Sequence, residues 1–323
     1  MKKNEKRRRE GRANNLLYYM VGFWRMALPA SIRKMQRKLA IRGWERRPDA
    51  DIIRDRLDFY CQLKPHVELG DTAKRIADFK KKGTRSRYYF DIGRWIKSFP
   101  GNALVDYVTT DIWENPETPK LMKARRLDDK SRNCALVKIN WRRHFCHPVD
   151  PVAFKDKKPL LFFRGEIDGK PRRVEFFEKW ADSPLCDLGD TTVKNRSRWF
   201  APMVKLTDHF DYQFILAIEG NDVASSLQWI MASNCVPVMT RPTAESWLMH
   251  SRMIPGVHYI EIKPDFSDVE DKLNHYITHP EEAEAISRSS REWAAQFDNR
   301  KRETIINYLV VERFLKATGQ PTD

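Results

Sequence analysis

The chain has 323 residues, 41% hydrophobic and 32% charged, with ten tryptophans and a formal charge of +15. Its length supports two medium domains or one large one, and its aromatic content excludes disorder along the whole chain. The positive balance attracts anions (nucleic acid, acidic phospholipid, phosphorylated sugar or nucleotide) without choosing among them.

Residues 1–15 read as a basic tail, with Lys2, Lys3, Lys6, Arg7, Arg8 and Arg9 close together. Leu16 to Leu28 resembles the start of a signal peptide, but Arg25 interrupts the apolar run and no small-residue cleavage site follows. The run is too short to span a bilayer. Leu16, Tyr19, Met20, Phe23 and Ala27 share a helical face, which leaves two readings: an interfacial amphipathic segment on an anionic membrane, or a helix packed on the protein. Ile32 to Leu63 has helical spacing, and Asp71 to Lys81 reads as a further helix. Arg87 to Phe99 is aromatic-rich, and Pro100-Gly101 is a turn. Ala103 to Thr110 and Cys134 to Ile139 read as strands, separated by a loop at Pro116 and Pro119. Pro148 to Lys158 reads as a connector.

Beyond it, strands and helices alternate. Strands are expected at Pro159 to Phe163, Phe214 to Ile218, Val236 to Met239 and His258 to Ile262. Helices are expected at Arg172 to Trp180, Ala224 to Ser233, Glu245 to Met249, Phe266 to Thr278 and Pro280 to Phe297. That alternation predicts an α/β fold with a parallel, doubly wound sheet. Four segments are expected: 1–45, the tail and interfacial helix; 46–157, an acceptor-side domain; 158–300, a Rossmann-like nucleotide-sugar domain; and 301–323, a C-terminal helix.

The five cysteines are widely spaced, with no CxxC pair, and read as free thiols in a reducing compartment. No zinc spacing is present and no metal ligands are expected. GxGxxG, GxxxxGK[ST] and GxSxG are all absent. Asp49-Ala50-Asp51 lies in a helical region and reads as chance. In an open parallel sheet ligands sit at the carboxyl ends of strands. That rule selects Arg164-Gly165 and Glu219-Gly220-Asn221-Asp222. Glycine permits close backbone approach, and a helix start near Ala224 would offer N–H groups to an anion. Arg164 has two readings of equal weight, a phosphate clamp assisted by Arg172 or Arg173, or a salt bridge across the sheet.

The run from Phe214, FILAIEGNDVASSLQWIMASNCVPVMTRPTAESWLMH, follows an ordered set upstream: Asp111, Pro116 to Pro119, Lys123-Ala124-Arg125, Arg142-Arg143-His144-Phe145, Asp150, Phe154, Lys157, Arg164-Gly165 and Cys186 to Gly189. Together these resemble glycosyltransferase family 90, the family of capsule-associated and Rumi-like enzymes, in its bacterial lipopolysaccharide-core branch. The resemblance covers about Asp91 to Phe297. It implies a GT-B-like fold, two Rossmann-like halves facing a cleft, and inverting, metal-independent transfer from a UDP-sugar to a lipid-linked oligosaccharide or lipopolysaccharide core. No cofactor and no nucleic-acid partner is expected, and the location implied is the cytoplasm, peripheral on the inner membrane.

By the same resemblance Asp111 occupies the place of the catalytic base, with Asp150 as the alternative and a turn cap as the competing role for Asp111. Glu219, Gly220, Asp222, Ser225 and Ser226 match the nucleotide-side motif. Animal and fungal relatives carry Arg where this chain has Ser226, which shifts diphosphate contacts to Arg164 and Arg172, with Lys123 and Arg125 as further candidates. His258 fits a strand near the nucleotide pocket and is a nucleotide-sugar-binding candidate, structural rather than catalytic; Glu245 is open between donor contact and packing, and Trp247 and His144 read as structural. The competing functions are a saccharide- or nucleotide-binding membrane protein without turnover and a basic nucleic-acid binder.

Overall fold

The computed structural model describes residues 16–80, 86–129, 131–139, 149–194 and 196–323. The predicted basic tail and the segment holding Arg142, Arg143, His144, Phe145 and Cys146 lie outside these residues.

Residues 16–27 form helix α1, followed by α2 (Ala30–Ile41) and α3 (Ala50–Tyr60). The continuous helix read from Ile32 to Leu63 is broken at Gly43, whose φ of 65° ends α2 in the left-handed region that glycine tolerates. The helix expected at Asp71 to Lys81 does not form over its described residues. Strand β1 (Lys74–Arg75) and a 3₁₀ turn stand there instead, because Ile76 and Ala77 donate their N–H groups to the carbonyls of Ala103 and Gly101.

Helix α4 (Ser86–Ile96) leads into β2 (Leu104–Val105), which pairs with β1. The strand predicted through Thr110 stops early. Asp106 turns inward, accepting from Thr72 Oγ1 at 2.5 Å and Lys120 Nζ at 2.7 Å. Short strands β3 (Lys120–Met122), β4 (Ala124–Arg126) and β5 (Cys134–Leu136) follow. The described residues of this half hold only two-stranded pairs.

The second half is built on β6 (Lys158–Gly165), α5 (Pro171–Trp180), β7 (Cys186–Asp190), β8 (Tyr212–Leu216), α6 (Leu227–Met231) and β9 (Val236–Thr240). Then come β10 (Ala244–Ser246), β11 (Ile260–Ile262), α7 (Val269–Thr278), α8 (Pro280–Ala295) and α9 (Arg300–Ala317). Five strands form one parallel sheet in the order β11-β9-β8-β6-β7. Numbered along the chain this is 2-1-3-4-5, a doubly wound order with its switch point between β6 and β8.

Both sheet faces are covered. Phe163, Phe214, Leu216 and Val238 pack with Phe176, Phe177 and Leu273, while Phe162, Ile215 and Met239 join the larger core on the other face. That larger core also takes Ile53 and Leu57 from α3, Leu136 from β5, and Ile306, Val310 and Phe314 from α9, so the C-terminal helix returns to the first half. Among the described residues no helix is long and apolar enough to cross a membrane.

Candidate functional site

At the switch point, adjacent strands send their following loops to opposite faces, which opens a crevice at the carboxyl ends. Here the loops after β6 and β8 flank that crevice. Arg173, on the first turn of α5, ties them together. Its Nη1 donates to the Glu166 carbonyl at 2.8 Å and its Nη2 to the Ile218 carbonyl at 3.1 Å. Gly220 lets this happen, since a Cβ there would lie 3.2 Å from Arg173 Nη2 and 3.6 Å from Lys170 Cε. Two cations, Arg173 and Lys170, therefore border the bare backbone of Gly220.

The first half meets the same turn. Asn221 donates to Asp111 Oδ2 at 3.0 Å, and Lys123 Nζ lies 2.5 Å from Asp111 Oδ1 and 2.9 Å from Asp222 Oδ2. Ile112 N donates weakly to Asp222 at 3.4 Å. Burial works against a charge on Lys123, but the carboxylates of Asp222 and Asp111 raise its pKa above the ordinary value. Asp222 and Lys123 are buried, whereas the Asp111 side chain is 41% exposed. The network thus holds one solvent-reaching carboxylate from the first half beside the turn that follows β8.

Glu219 braces the same turn from its other side, accepting from Thr243 N at 3.0 Å and Thr243 Oγ1 at 2.5 Å. Asp190, fully buried at the end of β7, organises the neighbouring loops. Its Oδ1 accepts from Thr192 N and Oγ1, and from Ile167 N at 3.3 Å, while Oδ2 accepts from Ser197 Oγ. Burial would raise this carboxyl, but those donors hold it below the usual range.

The structure separates the remaining sequence candidates. Arg164 takes the cross-sheet reading: it pairs with Asp187 on β7 at 2.6 Å and lies over the Phe162 ring at 4.4 Å. Gly165 ends β6, its carbonyl accepting from Thr191 N. Arg172 points elsewhere than its neighbour Arg173, lying over the Phe266 ring at 4.5 Å with Glu175 at 3.6 Å. Arg125 and Glu245 are consumed by each other, a buried pair at 2.5 Å across β4 and β10. That pairing also explains why residues 244–246 form a strand where a helix was expected from Glu245.

Ser225 and Ser226 are partly exposed in the turn before α6, and the Ser226 side chain makes no cap. The helix expected from Ala224 starts at Leu227 and is five residues long, too short to supply the anion-binding terminus proposed for it. Asp150 sits at the opposite end of the sheet, where its buried carboxylate binds Lys157 Nζ at 2.9 Å, Asn234 N at 2.9 Å and Val152 N at 3.0 Å. His258 also lies at an amino end, before β11. Its Nδ1 accepts from Ile254 N at 2.9 Å, and burial lowers its pKa.

Sequence reasoning did not single out Lys170 or Asp190, named Arg173 only as an alternative, and reached Asn221 as part of the strand-end turn it selected. Among the described residues no group of three or more His, Cys, Asp or Glu side chains is arranged to hold a metal ion.

Residues 140–311 match the family described as Glycosyl transferase family 90. The chain is similar to the O-glucosyltransferase LpsA of Dichelobacter nodosus, with 32% identity over 263 residues, 81% of this chain and 82% of that one. It is also similar to Protein O-glucosyltransferase 2 of Danio rerio, with 26% identity over 140 residues, 41% of this chain and 28% of the fish protein. With a strand-turn site at the switch point of its parallel sheet and these matches over most of its length, the chain belongs to glycosyltransferase family 90.

Proposed function

We propose that this chain transfers a sugar from a UDP-sugar to a lipopolysaccharide-core saccharide, with inversion at the anomeric carbon and without a metal. The observation that carries the reading is the Arg173 bridge between the loops after β6 and β8, with Asp111 of the first half bonded to the same turn. Both relatives are named O-glucosyltransferases, which favours glucose as the sugar, and the name LpsA favours a lipopolysaccharide acceptor. Four described cysteines are free thiols, which suits a reducing cytoplasm. The exposed apolar side chains of α1 favour peripheral attachment to the inner membrane. A GT-B-like pair of halves belongs to the same proposal: the crevice of the second half takes the nucleotide, and the first half presents the acceptor.

In this mechanism the acceptor hydroxyl attacks the anomeric carbon from the face opposite UDP. Asp111 accepts the hydroxyl proton as the new C–O bond forms. The bond to the diphosphate oxygen breaks, and the charge developing there is met by the Arg173 guanidinium, the Lys170 ammonium and the turn's backbone N–H groups. Preorganised cations supply the stabilisation that a metal provides in other transferases.

Arg173→Ala tests the diphosphate contact. Loss of a charge-assisted bond is expected to weaken UDP binding about 10- to 100-fold, read by titration calorimetry. Arg172→Ala serves as the neighbouring control and is expected to change UDP affinity less than about threefold. Equal losses at the two positions, or UDP release from UDP-glucose at background level with core acceptors, would overturn the reading.

A further inference from the structure

Helix α1 uses only part of its surface. Gly22 packs so closely on α4 that a Cβ would lie 2.8 Å from Phe90 Cδ1, and Gly93 receives Met26 in the same way. Tyr18 donates to Asp91 at 2.7 Å. The side chains at i, i+4 and i+8 on the outer face, Leu16, Met20 and Trp24, are 64%, 59% and 61% exposed. Met35 and Leu39, one turn apart on α2, are exposed as well. An outward apolar row of this size is costly in water and marks an interaction surface.

Between α1, α2 and α4 lies a pocket of about 90 Å³, lined by Arg25, Arg33, Gln36, Arg94, Ser98 and Tyr308 among others. Arg33 is fixed by donating to the carbonyls of Lys97, Met26 and Leu28, which holds its guanidinium at the junction of α1, α2 and α4. Arg94 stacks on Trp95 at 4.4 Å. Among the described residues no carboxylate lies within ion-pairing distance of Arg25, Arg33 or Arg94. Asp91 acts on Arg94 only at longer range. Burial and the neighbouring Arg25 push the Arg94 guanidinium down to about 10, and burial with Arg33 pushes Lys97 below its ordinary value. A bound anion would relieve that mutual repulsion.

We propose that the Arg25–Arg33–Arg94 pocket binds the phosphate of an anionic phospholipid headgroup while Leu16, Met20 and Trp24 enter the acyl boundary, docking the chain on a membrane surface. The lipid source is favoured over a soluble phosphate because Arg25 of the pocket directly follows Trp24 of the exposed apolar row on the same helix. The basic residues Lys2 to Arg9 precede that helix in sequence, and the net charge of +15 has the matching sign. The proposal rests on the membrane-surface part of the proposed function and is independent of the transfer chemistry.

The test is co-sedimentation of the full chain with vesicles of phosphatidylcholine alone or with phosphatidylglycerol added. Wild type is expected to partition onto the anionic vesicles only. Arg25→Gln, which removes the charge of a guanidinium that makes no hydrogen bond among the described residues, is expected to weaken partitioning about five- to tenfold. Trp24→Glu is expected to weaken it at least as much, whereas Arg288→Gln on α8 removes the same charge outside the pocket and should cost less than about twofold. Turnover of UDP-glucose with a water-soluble core acceptor is expected to be unchanged in Arg25→Gln, so a failed vesicle result leaves the transfer reading standing. Equal losses in Arg25→Gln and Arg288→Gln would overturn the pocket assignment. Saturable binding of inorganic phosphate, lost in Arg25→Gln, without vesicle binding by wild type would overturn the lipid source.

Discussion

Asp111→Asn is expected to lower kcat for sugar transfer about 10²- to 10⁴-fold, the usual contribution of a positioned general base. The substitution keeps the shape of the side chain and its ability to accept from Lys123, and a flip of the Asn221 amide presents an oxygen to the new NH2 group, so the turn carrying Asn221 and Asp222 should persist. UDP affinity is therefore expected to stay within about threefold of wild type. The split matters, because a residue that merely braced the turn would change Kd for UDP and kcat together. Steady-state rates and calorimetry on the same preparation separate the two. Asp150→Asn is the matched control. Its carboxylate is buried at the amino ends of β6 and β9 with both oxygens engaged, so its loss is expected to reduce thermal stability while turnover per folded molecule holds. A full rate in Asp111→Asn with a collapsed rate in folded Asp150→Asn would reverse the assignment.

The second large effect is expected on stability. Glu303, on α9, is buried and shared by three elements. It binds Arg56 of α3 at 2.6 Å, Lys138 Nζ at 3.0 Å and the Trp247 indole N–H at 2.5 Å. Tyr60 stacks on Trp247 with centroids 3.9 Å apart, so the same cluster ties the first half, the segment after β10 and the C-terminal helix. Burial would raise the Glu303 carboxyl, but Lys138 and Arg56 hold it below its ordinary value of 4.5. Glu303→Gln removes the carboxylate that two buried cations share, and is expected to cost about 3–5 kcal/mol. That is a large fraction of a typical stability of roughly 5–15 kcal/mol. In calorimetry the transition should fall by on the order of 10 °C near neutral pH. Because the folded pKa is depressed, the contribution of Glu303 is complete above its unfolded value and is lost as pH falls through the folded one. The gap between wild type and variant should therefore close in acid. A gap constant down to strongly acidic pH would show that packing, not charge, holds this cluster.

The parts legible in the sequence were those set by local pattern. Strands β8 and β9 and the centre of β6 are buried on both faces and read as short apolar runs, while edge strand β11 shows itself by alternation, with Ile260 and Ile262 buried on either side of Glu261. Edge strand β7 was missed as a strand because Asp187, Gly189 and Asp190 break any apolar run. Strand β10 and the turn at Ile76–Asp78 were mistaken for helix because their partners, Arg125 and the carbonyls of Gly101 and Ala103, are distant in sequence. At the site, the strand-end rule located both turns. It did not choose between Arg172 and Arg173, which project about 100° apart on a helix. Only the packing of α5 against Phe266 and the Ile218 carbonyl decides that. Nor did it settle Arg164, whose partner Asp187 lies on the missed strand.

A crystal structure of the protein with UDP bears most directly on all of this. The diphosphate should lie in the crevice between the ends of β6 and β8, within hydrogen-bond reach of the Arg173 or Lys170 side chain and of backbone N–H groups around Gly220, with the Asp111 carboxylate across from it. Nucleotide density at the amino ends of the strands, near Asp150 and His258, or a diphosphate facing no carboxylate of the first half, would contradict the account.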